Sequence, residues 1–175
     1  MRFKHAPRPS SDAAAIDTAW RIHQAQVEWT GKVDAKATFA FAIESAALAT
    51  VVALTTNGRL FSDLEKYWLI LYWVGLISLL ISASFAALVV IPRLRSKHLA
   101  KESQTNFIYF GHARLWDVKE LESALKDTAV LPQLSLQIVR MADISWTKHV
   151  RVQWSFCLAA LGGIALVVCG FGSPT

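Results

Sequence analysis

Three long apolar stretches dominate the chain, and the polar residues between them mark where each one stops. The first, 37–55, carries one charge, Glu44; the second, 67–91, carries none over 25 residues; the third, 154–171, carries none over 18. A helix needs about 20 apolar residues to cross a hydrocarbon core of roughly 30 Å. All three stretches reach that length, the first and third narrowly. The second is apolar on every side, which suits lipid and not the surface of a small soluble domain.

Ahead of the first span, Ile16, Trp20, His23 and Val27 recur at i, i+4, i+7 and i+11 and predict one apolar helix face. Ser11 or Asp12 can cap this helix, and Gly31 marks where a bend is allowed before the span. Residues 1–11, punctuated by Pro and Ser, are expected to be disordered. Between the first two spans, "TTNGRLFSD" reads as a tight loop turning at Asn57-Gly58. Pro92 is expected to end or kink the second span. Beyond it, Phe107, Ile108, Tyr109 and Phe110, closed by Gly111, form a short apolar run that fits a strand or a packed loop. Asp117 is placed to cap a helix carrying Val118, Leu121 and Leu125 on one face, with Glu120 as a capping-box partner. Pro132 is expected to break that helix. A last one begins near Gln133 and runs into the third span, about 38 residues and about 55 Å in all.

The pattern predicts an all-α membrane protein: three transmembrane helices with a small, mostly helical cytoplasmic region between the second and third. Its expected segments are a cytoplasmic N-terminal segment with an amphipathic helix (1–36), a first span (37–55), an external loop (56–66), a second span (67–91), a cytoplasmic helical region (92–153), a third span (154–171) and an external tail (172–175).

Charge sets the orientation. Lys and Arg number six in 1–36, two in 56–66 and ten in 92–153, and the tail has none. The side richer in cations stays in the cytoplasm. The expected location is therefore the bacterial inner membrane, multi-pass, with the N-terminus inside and the C-terminus outside. The net charge of +5 needs only this bias and contact with anionic lipid, so no nucleic-acid partner is implied. Trp29, Trp68, Trp146 and Trp154 fall near expected membrane edges, where amphipathic rings are favoured. Composition agrees, with 54% hydrophobic and 18% charged residues in a chain of 175, room for one modest domain.

Catalytic chemistry is hard to find. No phosphate-binding glycine loop, HExxH, CxxC or GxSxG occurs, and the five His show no i, i+4 pairing. Cys157 and Cys169, twelve residues apart on one helix, stand about 18 Å apart and cannot bridge. The opening "MRFKHAPRPSSDAAAID" has no apolar core of a signal peptide. The expectation is a non-enzyme without metal or cofactor.

The spans say more. Gly75, Ser78, Ser82 and Ala86 share a small-residue stripe in the second, and Ser155, Ala159 and Gly163, adjoined by Gly162, in the third. Ala37, Ala40 and Ala47 lie on the side of the first span that carries Glu44. Such faces let membrane helices approach closely. They serve either packing within the chain or, in addition, self-association or a pore; three helices cannot enclose an aqueous path, so a conducting form needs several copies. Glu44 lies about ten residues, or about 15 Å, into its helix, where an unpaired carboxylate costs at least ~2.5 kcal/mol. It is expected to be protonated, bonded to a Ser such as Ser78 or Ser82, or turned to a wet cavity. Its role is a packing contact or part of a pore.

Three stretches resemble one family, the small membrane effectors of bacterial Pycsar antiphage systems. "WTGKVDAKATFAFAI" is similar to that family's Asp-x-Lys-Ala lead-in to the first span, through Asp34, Lys36 and Ala37. "NFIYFGHAR" is similar to its aromatic-Phe-Gly segment, although the usual Phe-Gly-Asp is here Phe110, Gly111 and His112. In "LSLQIVRMADISWTKHVRVQWSFCLAAL", Gln137, Ile138 and Lys148 match the helix leading to the last span. The resemblance implies an effector that responds to cCMP or cUMP from a partner pyrimidine nucleotide cyclase. It would impair the inner membrane and stop the cell before phage matures, acting on the lipid bilayer as a homo-oligomer. Direct sensing would fall to the 93–153 region. Tyr109 and Phe110 could face the base, and Arg114 and Lys148 the phosphate. The alternative is a constitutive membrane scaffold or assembly protein with no nucleotide response.

Overall fold

The computed structural model describes residues 12–56, 58–92 and 99–173. The expected disorder of 1–11, the Asn57 half of the loop turn and the basic run 93–98 lie outside the described residues. Six helices follow in order: α1 (Asp12–Ala53), α2 (Lys66–Val90), α3 (Leu99–Glu102), α4 (Phe110–Ala113), α5 (Val118–Asp127) and α6 (Val130–Gly172). No strand occurs among the described residues. Helices α1, α2 and α6 are each long and apolar enough to cross a membrane. The fold is the all-α, three-span architecture that the hydropathy pattern predicts.

The chain divides into two compact units, one from Thr30–Pro92 with Trp146–Thr175 and one from Met1–Trp29 with Arg93–Ser145. The first unit is a bundle of the apolar parts of α1, α2 and α6. Its inward positions alternate steps of three and four. They are Val33, Ala37, Ala40, Glu44, Ala47 and Val51 on α1, and Tyr72, Gly75, Leu79, Ser82, Ala86 and Val89 on α2. On α6 they are Val152, Ser155, Ala159, Gly162, Leu166 and Cys169. A 3.5-residue repeat keeps one seam facing its partners and favours left-handed supercoiling. The distribution of side chains inverts that of a soluble core. Small and hydroxylic residues share the inside with Tyr72, Leu79 and Leu166, while Phe39, Phe41, Ile70, Ile81, Phe156 and Ile164 stand exposed on the outside. Lipid solvates such an outer surface, and small inner residues bring the backbones together.

One end of the bundle is closed by its loop. Gly58 adopts φ 74°, the left-handed conformation that glycine tolerates best. Phe61 folds back to donate its N–H to the Leu54 carbonyl at 3.0 Å and packs on Tyr72 at 5.3 Å between ring centroids. At the other end α2 stops at Val90. Ile91 is extended (φ −60°, ψ 122°), as a residue before proline prefers.

In the second unit, Leu99, Phe107 and Leu134 are buried, and Phe107 meets the edge of Trp116 at 6.0 Å. The segment before Arg114 is a loop ending in the single turn α4, which settles the strand-or-loop alternative as loop. Asp117 caps α5 as expected, accepting the Lys119 N–H at 2.9 Å. Two expectations are corrected. Pro132 does not stand before the last helix but in the first turn of α6, where its missing N–H has no intrahelical partner to lose. On the early part of α1 the buried residues are Ala19 and Gln26, with Ile16 and His23 half-buried, while Trp20 (38%) and Val27 (50%) are exposed. The helix runs through Gly31 without interruption. Positions 19, 23, 26, 30 and 33 therefore continue the same three-four repeat as the span, and that repeat leaves Trp20 and Val27 beside the seam.

Candidate functional site

Glu44 is 3% exposed and sits on the inward seam of α1, opposite Ser82 of α2 and Ser155 of α6, both fully buried. Ser82 Oγ lies 2.6 Å from Glu44 Oε1 and 2.6 Å from the Ser155 carbonyl oxygen. The Ser82 hydroxyl thus bridges the carboxyl on α1 and the backbone of α6. Ser155 Oγ closes the ring by donating to Glu44 Oε1 at 3.1 Å. Glu44 Oε2 is buried without a hydrogen-bond partner. Of the two serines expected beside Glu44, Ser82 takes the carboxyl; Ser78 is buried on the same helix without bonding it. Ser155 was legible only as a stripe residue, and the hydroxyl on the third helix is what completes the ring.

A second polar contact lies on the same seam. Lys148 Nζ donates to both carboxylate oxygens of Asp34, at 2.6 and 2.7 Å. The side chains are 21% and 37% exposed. Two residues singled out from opposite ends of the chain thus form one ion pair that ties α1 to α6. One turn along α6, Arg151 Nη1 donates to the Leu88 carbonyl at 3.3 Å. It supplies a partner to one of the last carbonyls of α2, which have no intrahelical donor. Lys36 is exposed.

The small-residue stripes meet where α2 crosses α6. A Cβ on Gly75 would stand 2.6 Å from Leu166 Cγ and 3.0 Å from the Gly162 carbonyl oxygen. A Cβ on Gly162 would stand 2.8 Å from the Gly75 oxygen. The glycines are there because backbone lies where a side chain would go. Gly162 fills this role, whereas a Cβ on Gly163, the stripe position inferred from four-residue steps, would meet nothing within 4 Å.

The aromatic segment belongs to the second unit. The Tyr109 ring packs on Phe110 at 4.6 Å and edge-on to His112 at 5.3 Å. It also covers Gly111, where any Cβ would collide with it. Phe110 is 65% exposed and Arg114 is exposed. His112, 2% exposed, has Nε2 at 3.3 Å from Glu102 Oε2, and the same oxygen accepts from Arg140 Nη1 at 3.2 Å. Tyr109, Phe110 and Arg114 are thus neighbours in one short segment, while Lys148 belongs to the bundle and is engaged by Asp34. Sequence reasoning passed over Glu102, Gln133 and Arg140; a Gln and an Arg seven apart on one helix face were the available signal. No cluster of three metal-ligating side chains occurs among the described residues.

A family model described as the Pycsar effector protein domain matches residues 18–172. Comparison with curated proteins and with solved structures found no match.

Proposed function

The chain belongs to the Pycsar effector protein family, and from that premise we propose that it is a membrane effector switched on by a cyclic pyrimidine nucleotide. A partner cyclase would release cCMP or cUMP after infection. The effector would then impair the inner membrane, and the cell would stop growing before phage matures. The observation that carries this reading is the family match, which extends over all three membrane-spanning helices and the region between the last two.

The cation count supports a cytoplasmic N-terminus and a cytoplasmic 92–153 region, with the loop at 56–66 and the C-terminal tail outside. In this orientation the region carrying Tyr109, Phe110 and Arg114 meets the cytoplasmic nucleotide. Lys148 joins in phosphate binding only by leaving Asp34. The bundle interior is filled by side chains around Glu44, from Ala, Gly and Ser to Tyr72, Leu79 and Leu166, and three helices alone do not enclose an aqueous path. Damage therefore requires several copies to assemble, or the helices to rearrange against lipid. The activity is not enzymatic in this reading.

Expression in a bacterial host, with cCMP or cUMP supplied and an impermeant dye followed, tests the proposal. Nucleotide-dependent dye uptake is expected. Absence of uptake with either nucleotide, at verified membrane expression, overturns the effector reading in favour of a constitutive scaffold.

A further inference from the structure

We propose that the small pocket beneath Tyr109 is a recognition site for a planar ring bearing a carbonyl next to an anion, as in a pyrimidine nucleotide. The inference rests on the nucleotide-sensing reading above and gives it a location. Gln133 carries it. This side chain is 93% buried, and its Oε1 accepts the Phe107 N–H at 3.1 Å. That bond fixes the amide plane, and Nε2 is left buried with no hydrogen-bond partner. An unsatisfied amide donor at this depth is uncommon unless something comes to meet it.

The surroundings supply the rest of a nucleotide's needs. Gln133, Gln137 and Arg140 stand at i, i+4 and i+7 on α6 and line the same pocket with Tyr109 and His112. The Gln133 NH2 can donate to the ring carbonyl that cytosine and uracil share. The half-buried Tyr109 ring offers a stacking face. Arg140 spends one N–H on Glu102 and keeps other guanidinium donors for a phosphate. The pocket has a volume of about 10 Å3, room for about one water. A ring enters only when Tyr109 swings off Gly111 and lies over the ligand. Gly111 permits the closed position, since any side chain there would expel the tyrosine.

A single buried water on Gln133 Nε2 is the competing account, and binding separates the two. The full chain in lipid nanodiscs is titrated with cCMP, cUMP and, as a purine control, cAMP. Gln133→Glu keeps the acceptor for Phe107 and replaces only the NH2 donor. Gln137→Leu removes the second amide without touching the Phe107 bond, so it reports on the pocket even where Gln133→Glu fails to fold. Wild-type binding of a pyrimidine nucleotide, weakened about tenfold or more by either folded variant, is the expected result. Wild-type binding unchanged in both variants overturns the site but leaves nucleotide sensing intact. Failure of wild type to bind either pyrimidine nucleotide overturns both.

Discussion

Two adjacent glycines in α6 should respond oppositely to the same substitution. In Gly162→Ala the new methyl would lie 2.8 Å from the Gly75 carbonyl oxygen, 3.0 Å from Leu79 Cγ and 3.1 Å from Leu79 N. Carbon contacts are comfortable near ~3.5 Å. Two of the three obstacles are backbone atoms and cannot rotate away, so α2 must retreat by roughly half an ångström. Overpacking of this kind costs about 1–3 kcal/mol. In Gly163→Ala the methyl meets nothing within 4 Å. Only the better helix propensity of alanine remains, worth up to about 1 kcal/mol in the favourable direction. Unfolding of the purified protein in one detergent, followed by circular dichroism, should rank Gly163→Ala at or above wild type and Gly162→Ala below it. A Gly163→Ala protein as destabilised as Gly162→Ala would refute the packing described for this crossing. Unchanged unfolding of Gly163→Ala with altered self-association would instead place that glycine at a contact between copies.

Glu44→Gln should insert and unfold within about 1 kcal/mol of wild type, because the amide oxygen can accept from Ser82 and Ser155 in nearly the same volume, while its effect on toxicity in the dye assay reports any role beyond packing. Glu44→Ala should lose about 2–4 kcal/mol by emptying space and orphaning two serines, and equal unfolding of the Ala and Gln variants would contradict the hydrogen-bonded ring. Ser82→Ala should cost more than Ser155→Ala in the same unfolding assay, since Ser82 Oγ makes both of the 2.6 Å contacts; interhelical bonds in membranes average about 0.6 kcal/mol and reach about 1.7. Asp34→Lys and Lys148→Asp should each lower stability and together restore most of it, and a double variant no better than the singles would remove the ion pair as a link between α1 and α6.

How far the chain could be read depended on the range of each signal. The number of helices able to span was legible because lipid demands apolar length, a local property. The association of Glu44 with a serine was legible too, since an intramembrane acid on a small-residue face has few other partners. The Asp34–Lys148 pair was not, because 114 residues separate its members and neither carries a local cue to the other. The choice between Gly162 and Gly163 failed on periodicity. Steps of four drift by about 40° each at 100° per residue, so a stripe followed as i, i+4, i+8 leaves the true seam by its third member. In the second unit, the Tyr109 pocket depends on a loop folding over α6, and loop paths leave little trace in residue patterns.

The polar ring around Glu44 also settles how the helices are threaded past one another. A seam of small residues repeating every seven positions packs nearly as well after a slip of one repeat, about 10.5 Å along the axis. Slid one way, α1 would bring Glu44 opposite Gly75 and Gly162, which carry no hydroxyl; slid the other way, opposite Val89 and Lys148, in place of the two serines. Either slip also parts Asp34 from Lys148. The two contacts, ten residues apart on α1, act as a pair of alignment marks, and only one register satisfies both. Any activated form that moves α1 along its neighbours must break both marks together, which makes the change a step between discrete states and not a continuous slide.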